Sequence, residues 1–250
     1  MAWVRTVALR RQEAVPAMIG AVGFTTRGRP IALERCMRSF VENLRAYGRS
    51  PQLIVLDDGG DAAYDSAYPI AARIAAEFPE FEVLYAGLEQ KRDLVEQLSR
   101  AGIDHAVAEF ALLDPERCGY TLGANRNALQ LETLGEQVLY VDDDSEALTA
   151  RPPAWDERLL VSGHSSNQEY WYYPSHRDAV AAASFEAADL LALHESFLGR
   201  SGREIVDAYA RGPGVLELAG PWPTGTTPYA LWIGWLPGHD PVCRRPDDRL

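Results

Sequence analysis

An alternation running through residues 17–150 constrains the fold more than any other feature of the sequence. Four short apolar runs, Ala17–Phe24 (AMIGAVGF), Gln52–Leu56 (QLIVL), Phe81–Tyr85 (FEVLY) and Val138–Val141 (VLYV), are separated by segments whose apolar residues recur at helical spacing. After the first run, Pro30 suits the first turn of a helix. Ile31, Leu33, Met37, Phe40, Val41 and Leu44 follow on one stripe, and Gly48 fits the stop. Ile70, Ile74 and Phe78 mark a second helix, closed by Pro79. Leu94, Val95 and Leu98 mark a third, ending at Gly102, and a helix or ordered loop covers His105–Leu113. Gly119 and Gly123 frame a turn, and Ala124–Leu134 then reads as the helix that leads into the last apolar run. Strands with little polar alternation are buried on both sides. The pattern therefore predicts an α/β fold, with a central, mostly parallel, Rossmann-like sheet flanked by helices on both faces.

Residues 151–250 are less regular. Leu159–Gly163 reads as a strand, Ala179–Leu198 as one Ala/Leu-rich helix, and Ile205–Tyr209 as its continuation after a glycine break. The aromatic run Tyr170-Trp171-Tyr172-Tyr173 either lines a pocket or packs at a sheet edge, and Trp222, Trp232 and Trp235 carry the same two readings. Proline and glycine are dense over Gly212–Gly238, which predicts loops. No linker composition separates the halves, so a single domain over 1–250 is expected.

Ligands of such sheets bind beyond the carboxyl ends of the strands. That rule sets Thr25–Arg29, Asp57–Asp58 and Asp142–Asp144 along one rim. Three adjacent carboxylates repel, and each raises its neighbour's pKa, so they need a positive partner or full solvation. If strand geometry persists, Asp142 and Asp144 share one side and Asp143 takes the other. Two hard oxygen ligands on one side suit Mg²⁺ or Mn²⁺, with water and a diphosphate completing the shell. The other reading is a solvated acidic turn. Asp57 and Asp58 precede two glycines, so they either accept hydrogen bonds from a nucleobase or ribose or form an Asp-Gly turn. Arg27 and Arg29 either hold phosphate or are surface charges. Arg126 falls in the first turn of its expected helix, against the helix dipole, which makes more sense if an anion approaches.

The formal net charge of -12 argues against wrapping nucleic acid, which needs a Lys/Arg surface. It leaves room for a small anion bound locally through a metal. Cys36, Cys118 and Cys243 are odd in number and lack metal spacing, so reduced thiols and a cytoplasmic location are expected. The amino-terminal residues lack the long apolar run of a signal peptide. The apolar stretch Tyr229–Leu236 is too short to span a bilayer, so no transmembrane segment is expected. There is no G-x-S-x-G elbow, no phosphate-binding G-x-x-x-x-G-K-[ST] loop and no G-x-G-x-x-G after a strand.

Taken in order, TTRGRP after the first strand, LDDGG after the second, GANRNAL at the helix start and VDDDS at the last strand tip resemble the family 2 glycosyltransferases of GT-A fold. The resemblance covers roughly residues 17–150, and implies a nucleotide-sugar-binding half there and an acceptor-side half over 151–250. It implies transfer of a sugar from a nucleotide-diphosphate sugar donor to an unknown acceptor hydroxyl, with Mn²⁺ or Mg²⁺ and inverting chemistry; retention stays open. By position Thr25 and Asp57 resemble nucleoside contacts, with Arg27 and Asp58 beside them on the donor rim. Arg126 resembles the arginine of the helix start, although the family's Ala-Arg-Asn is here Ala124-Asn125-Arg126-Asn127. Asp142 resembles the ribose or sugar contact and a metal ligand, and Asp144 the metal ligand. Inverting members carry a late acidic base, and Asp247-Asp248 in CRRPDDRL resembles it, as against a polar tail. Only Arg249 and Leu250 follow, where members usually continue, so the resemblance leaves a truncated piece as one expectation. A late histidine completes the metal site in some members, and His239 is placed for that role or is simply solvated. Two alternatives stand beside this reading: a sugar-phosphate nucleotidyltransferase, and a non-catalytic nucleotide-sugar-binding protein.

Overall fold

The computed structural model describes residues 18–59, 61–151, 159–162, 173–211 and 216–219. The chain divides between Ala147 and Leu148 into two compact units. The first unit holds β1 (Ile19–Thr26), α1 (Pro30–Ala46), β2 (Gln52–Asp57), α2 (Asp61–Glu77), β3 (Val83–Ala86), α3 (Leu88–Arg100), α4 (His105–Leu112), α5 (Leu122–Glu132) and β4 (Gln137–Asp142). Its four strands form one sheet in the order β3-β2-β1-β4, and every pairing is parallel. The fold is thus α/β, with a four-stranded all-parallel sheet flanked by helices.

Strand alternation decides which helix each residue meets. On one face Ala21, Ile54, Leu56 and Ala86 pack with Leu94, Val95, Ala108, Leu112, Ala128 and Leu129 of α3, α4 and α5. On the other, Phe24 meets Phe40 of α1 edge to face, with ring centroids 5.4 Å apart, and Tyr85 meets Tyr68 of α2 in the same way at 5.3 Å. Of the apolar stripe read for α1, Leu33, Met37, Phe40, Val41 and Leu44 are covered, and Cys36 with them, whereas Ile31 in the first turn is exposed. Gly23 lets α5 come close to β1. A Cβ built at Gly23 falls 2.3 Å from a methyl of Leu129, so any side chain there displaces the helix or the leucine.

The second unit holds β5 (Thr149–Arg151), β6 (Leu159–Ser162), α6 (His176–Ala182), β7 (Ser184–Glu186), α7 (Leu190–Glu195), α8 (Gly202–Arg211) and β8 (Leu216–Ala219). β5 pairs antiparallel with β7, and β6 pairs parallel with β8. The single helix expected over Ala179–Leu198 does not form. α6 stops at Ala182, Ser184–Glu186 becomes a strand, and α7 restarts at Leu190. One local signal and one distant contact account for this. Asp189 caps the new helix by accepting from the Ala192 amide at 3.0 Å, and the Thr149 hydroxyl donates to the Glu186 carbonyl at 2.6 Å, pinning the strand pair. Helical periodicity survives in both pieces, and caps and strand pairing override it between them.

Among the described residues no helix is long and apolar enough to cross a membrane.

Candidate functional site

The parallel sheet carries the carboxyl ends of β1, β2 and β4 to one edge of the first unit, side by side. Thr26 is level with Asp57, and Thr25 with Asp142. The polar exits expected from sequence therefore do share a rim. Alternation then sorts them into two clusters, one on each face.

The first cluster lies on the α1 face. Thr26 donates to Asp143 at 2.6 Å. Arg29, one residue before α1, engages both oxygens of Asp143, with Nε 3.2 Å from Oδ2 and an ion pair to Oδ1. Its Nη1 reaches Asp144 at 2.9 Å. Asp143 is fully buried, and desolvation pushes its pKa up against the pull of Thr26 and Arg29. Arg29 is held above its ordinary value, chiefly by its bond to Asp144. A positive partner for the aspartate run is therefore supplied by the chain itself. Asp57, also on this face, is buried, accepts from the Gly59 amide at 2.7 Å and from the Tyr85 hydroxyl at 3.2 Å, and has its pKa raised by desolvation.

β4 ends at Asp142, so Asp143 and Asp144 lie in a turn, closed by the Ser145 amide on the Asp142 carbonyl at 3.1 Å. Strand geometry therefore does not carry Asp142 and Asp144 to one side: both are exposed and Asp143 is buried, but Asp142 bonds Thr25 whereas Asp144 shares Arg29 with Asp143. Among the described residues no group of three or more His, Cys, Asp or Glu side chains is arranged to hold a metal ion. The available set is the exposed pair Asp142 and Asp144. Mg²⁺ commonly takes one or two protein carboxylates and fills the rest of its shell with water and substrate phosphate, which the exposed Asp142 carboxylate suits, whereas Asp144 is already bonded to Arg29 and would have to share its carboxylate with that cation.

The second cluster lies on the α5 face. The Thr25 and Tyr140 hydroxyls are 2.8 Å apart, and Thr25 also donates to Asp142 at 3.4 Å. The Arg126 guanidinium sits over the Tyr140 ring, 4.7 Å from its centroid. α5 begins at Leu122, two residues ahead of the expected start, which places Arg126 in the second turn rather than the first. The dipole argument for an anion there therefore weakens, and the tyrosine face supplies a partner for the cation. Arg27 turns aside to donate to the Gly119 carbonyl. Asp114 holds the same loop by accepting from the Cys118 and Gly119 amides at 2.9 and 2.8 Å. Gly119 has positive φ, as a framing turn requires, whereas Gly123 belongs to the first turn of α5.

Behind this face lies a buried polar centre that sequence reasoning missed. Lys91 of α3 is completely buried, and its ammonium bonds both Asp58 and Asn125. Burial pulls the Lys91 pKa down, and Asp58 opposes that. The Asp58 side chain is only 1% exposed, and its Oδ2 has no hydrogen-bond partner among the described residues. A signal was present. Lys91 stands three and four residues before Leu94 and Val95, and Asn125 three and four before Ala128 and Leu129, so each occupies the apolar stripe of its helix.

Asp247, Asp248, His239, His164, Trp171, Tyr172, Trp222, Trp232, Trp235 and Cys243 lie outside the described residues. Comparison of the chain with protein-family models, with curated proteins and with solved structures found no match.

Proposed function

We propose that the chain is a metal-dependent glycosyltransferase of GT-A type, moving a sugar from a nucleotide-diphosphate sugar to an acceptor hydroxyl with inversion. The observation that carries this reading is the convergence of Thr25, Asp57, Arg126, Asp142 and Asp144, from four separate segments, on one edge of a parallel sheet. That edge is where α/β sheets bind nucleotides.

In this reading the buried Asp57 carboxylate, held by Gly59 and Tyr85, presents its remaining lone pairs to a nucleobase or ribose donor. Thr25 and Tyr140 fix the position of Asp142 from behind. Asp142 and Asp144 would hold the divalent cation, which supplies charge stabilisation for the diphosphate leaving group. Arg29 bonds the buried Asp143 and the exposed Asp144 together, and so offsets part of the charge of the aspartate run. Arg126, whose guanidinium lies over the Tyr140 ring, adds positive charge for phosphate. The base that deprotonates the acceptor is assigned to Asp247 or Asp248. Normal turnover by Asp248→Asn would remove that residue as base.

The test is a thermal-shift panel of UDP, GDP, CDP and dTDP, each with Mn²⁺, with Mg²⁺ and with chelator. A ligand at 100 times its Kd stabilises by about 2.7 kcal/mol. One nucleotide is expected to raise the Tm, and chelator to abolish the rise. No rise with any of the four overturns the reading. Sugar-nucleotide synthesis from a nucleoside triphosphate and a sugar phosphate would instead identify a nucleotidyltransferase.

A further inference from the structure

We infer that Lys91 and Asn125 are positioning residues for the nucleotide end of the site: the Lys91 ammonium ties the start of α5, and with it Arg126, to the exit of β2. The inference rests on the nucleotide-binding reading above and concerns residues to which that reading assigns no role.

The start of α5 lacks the usual means of fixing itself. Its N-cap residue, Thr121, makes no side-chain capping bond, and no acidic residue lies in its first turn. A helix that opens this way leaves its first amides without a side-chain acceptor and is free to fray. Asn125 is the first residue of α5 whose side chain is anchored, and the anchor is Lys91 on another helix. Asn127 adds a second tie, donating to the Ala111 carbonyl of α4 at 2.8 Å, but further along the helix.

Arg126 follows Asn125 directly. Its guanidinium lies over Tyr140, whose hydroxyl meets Thr25, which in turn donates to Asp142. The same ammonium that holds Asn125 also holds Asp58, the neighbour of Asp57. One buried cation thus connects the two ends of the proposed nucleotide site: the carboxylate at the β2 exit and the arginine above β4. Its own position is fixed by full enclosure and bonds to two partners. Supporting groups of this kind set a binding geometry without touching the ligand.

The single residue to change is Asn125, because its loss leaves the Lys91–Asp58 ion pair in place. The full chain is compared as wild type, Asn125→Leu and Asn125→Asp, using whichever of the four nucleoside diphosphates most raises the wild-type Tm, with its metal. Asn125→Leu removes the acceptor for Lys91. It leaves the buried ammonium one acceptor short and so lowers the ligand-free Tm, and nucleotide binding, measured below that Tm, is expected to weaken roughly tenfold to a hundredfold, the range typical of supporting contacts. Asn125→Asp preserves an acceptor for the ammonium and is expected to bind within a few-fold of wild type. Asn125→Ala, which adds no carbon, repeats the comparison if the leucine does not fold.

Unchanged affinity in Asn125→Leu or Asn125→Ala overturns the inference, and so does equal loss in Asn125→Asp. A lowered Tm with unaltered affinity overturns it as well, since the tie would then serve stability alone. Failure of the underlying reading looks different: wild type itself binds none of the four nucleotides, and the inference falls with it.

Discussion

Lys91→Met is expected to destabilise the first unit by about 3–5 kcal/mol, the cost of breaking a buried ion pair by removing one partner. The size follows from what remains. Lys91 and Asp58 are 0% and 1% exposed at their side chains, so loss of the ammonium strands a carboxylate with no route to water. Asp58 already has one unpartnered oxygen among the described residues, and the substitution leaves it with two. Asn125 loses its partner in the same step. Methionine matches the lysine stem closely, so cavity formation adds little and the effect is electrostatic. Urea unfolding monitored in the full chain would show a lower midpoint at an unchanged slope. The companion double variant Lys91→Met/Asp58→Leu removes both charges. It is expected to recover most of the loss, because a well-packed apolar pair is often as stable as the ion pair it replaces. A loss of less than about 1 kcal/mol in the single variant would show that the pair is not the enclosed, mutually dependent one described here.

That pair also shows where the sequence was legible and where it was not. β1 to β4 and helices α1, α2, α3 and α5 follow from apolar runs and stripes, which leave different periods, whereas α4 is open between a helix and an ordered loop and β3 and β4 are only partly buried. The shared rim of Thr25, Asp57 and Asp142 followed from the parallel order alone. Lys91 and Asn125 escaped because a stripe is read from its apolar members, so polar residues at stripe positions were passed over. Their meeting depends on α3 and α5 covering the same sheet face, which no local spacing states. Arg29 escaped differently. The aspartate run calls for a cation, but nothing local names it: Arg29 stands 114 residues from Asp143 in sequence and contacts it directly. In the second unit the Ala/Leu pattern over Ala179–Leu198 carried no sign of the pairing of β7 with β5, a contact between segments far apart in the chain.

Asp144→Ala is expected to abolish metal-dependent nucleotide stabilisation while leaving the fold intact. Asp144 is exposed, with a side chain 52% accessible, and its one described bond is to Arg29, which keeps its grip on Asp143. The substitution therefore removes a carboxylate from the open pair without uncovering a buried group. The roughly 2.7 kcal/mol expected at a hundredfold excess over Kd should fall to near zero, and chelator should then make no difference. Asp142→Ala should act in the same direction and also release Thr25 from its 3.4 Å contact. Asp143→Ala is the contrasting case. Its carboxylate is buried and bonded to Thr26 and Arg29, so its loss leaves the buried Thr26 hydroxyl without its acceptor and lowers the Tm of the ligand-free chain, while the half-exposed Arg29 keeps Asp144. If Asp144→Ala binds nucleotide as wild type does, with the same response to chelator, the cation is not held there. The flanking aspartates would then be a solvated turn neutralised by Arg29, and the proposed metal dependence would be withdrawn.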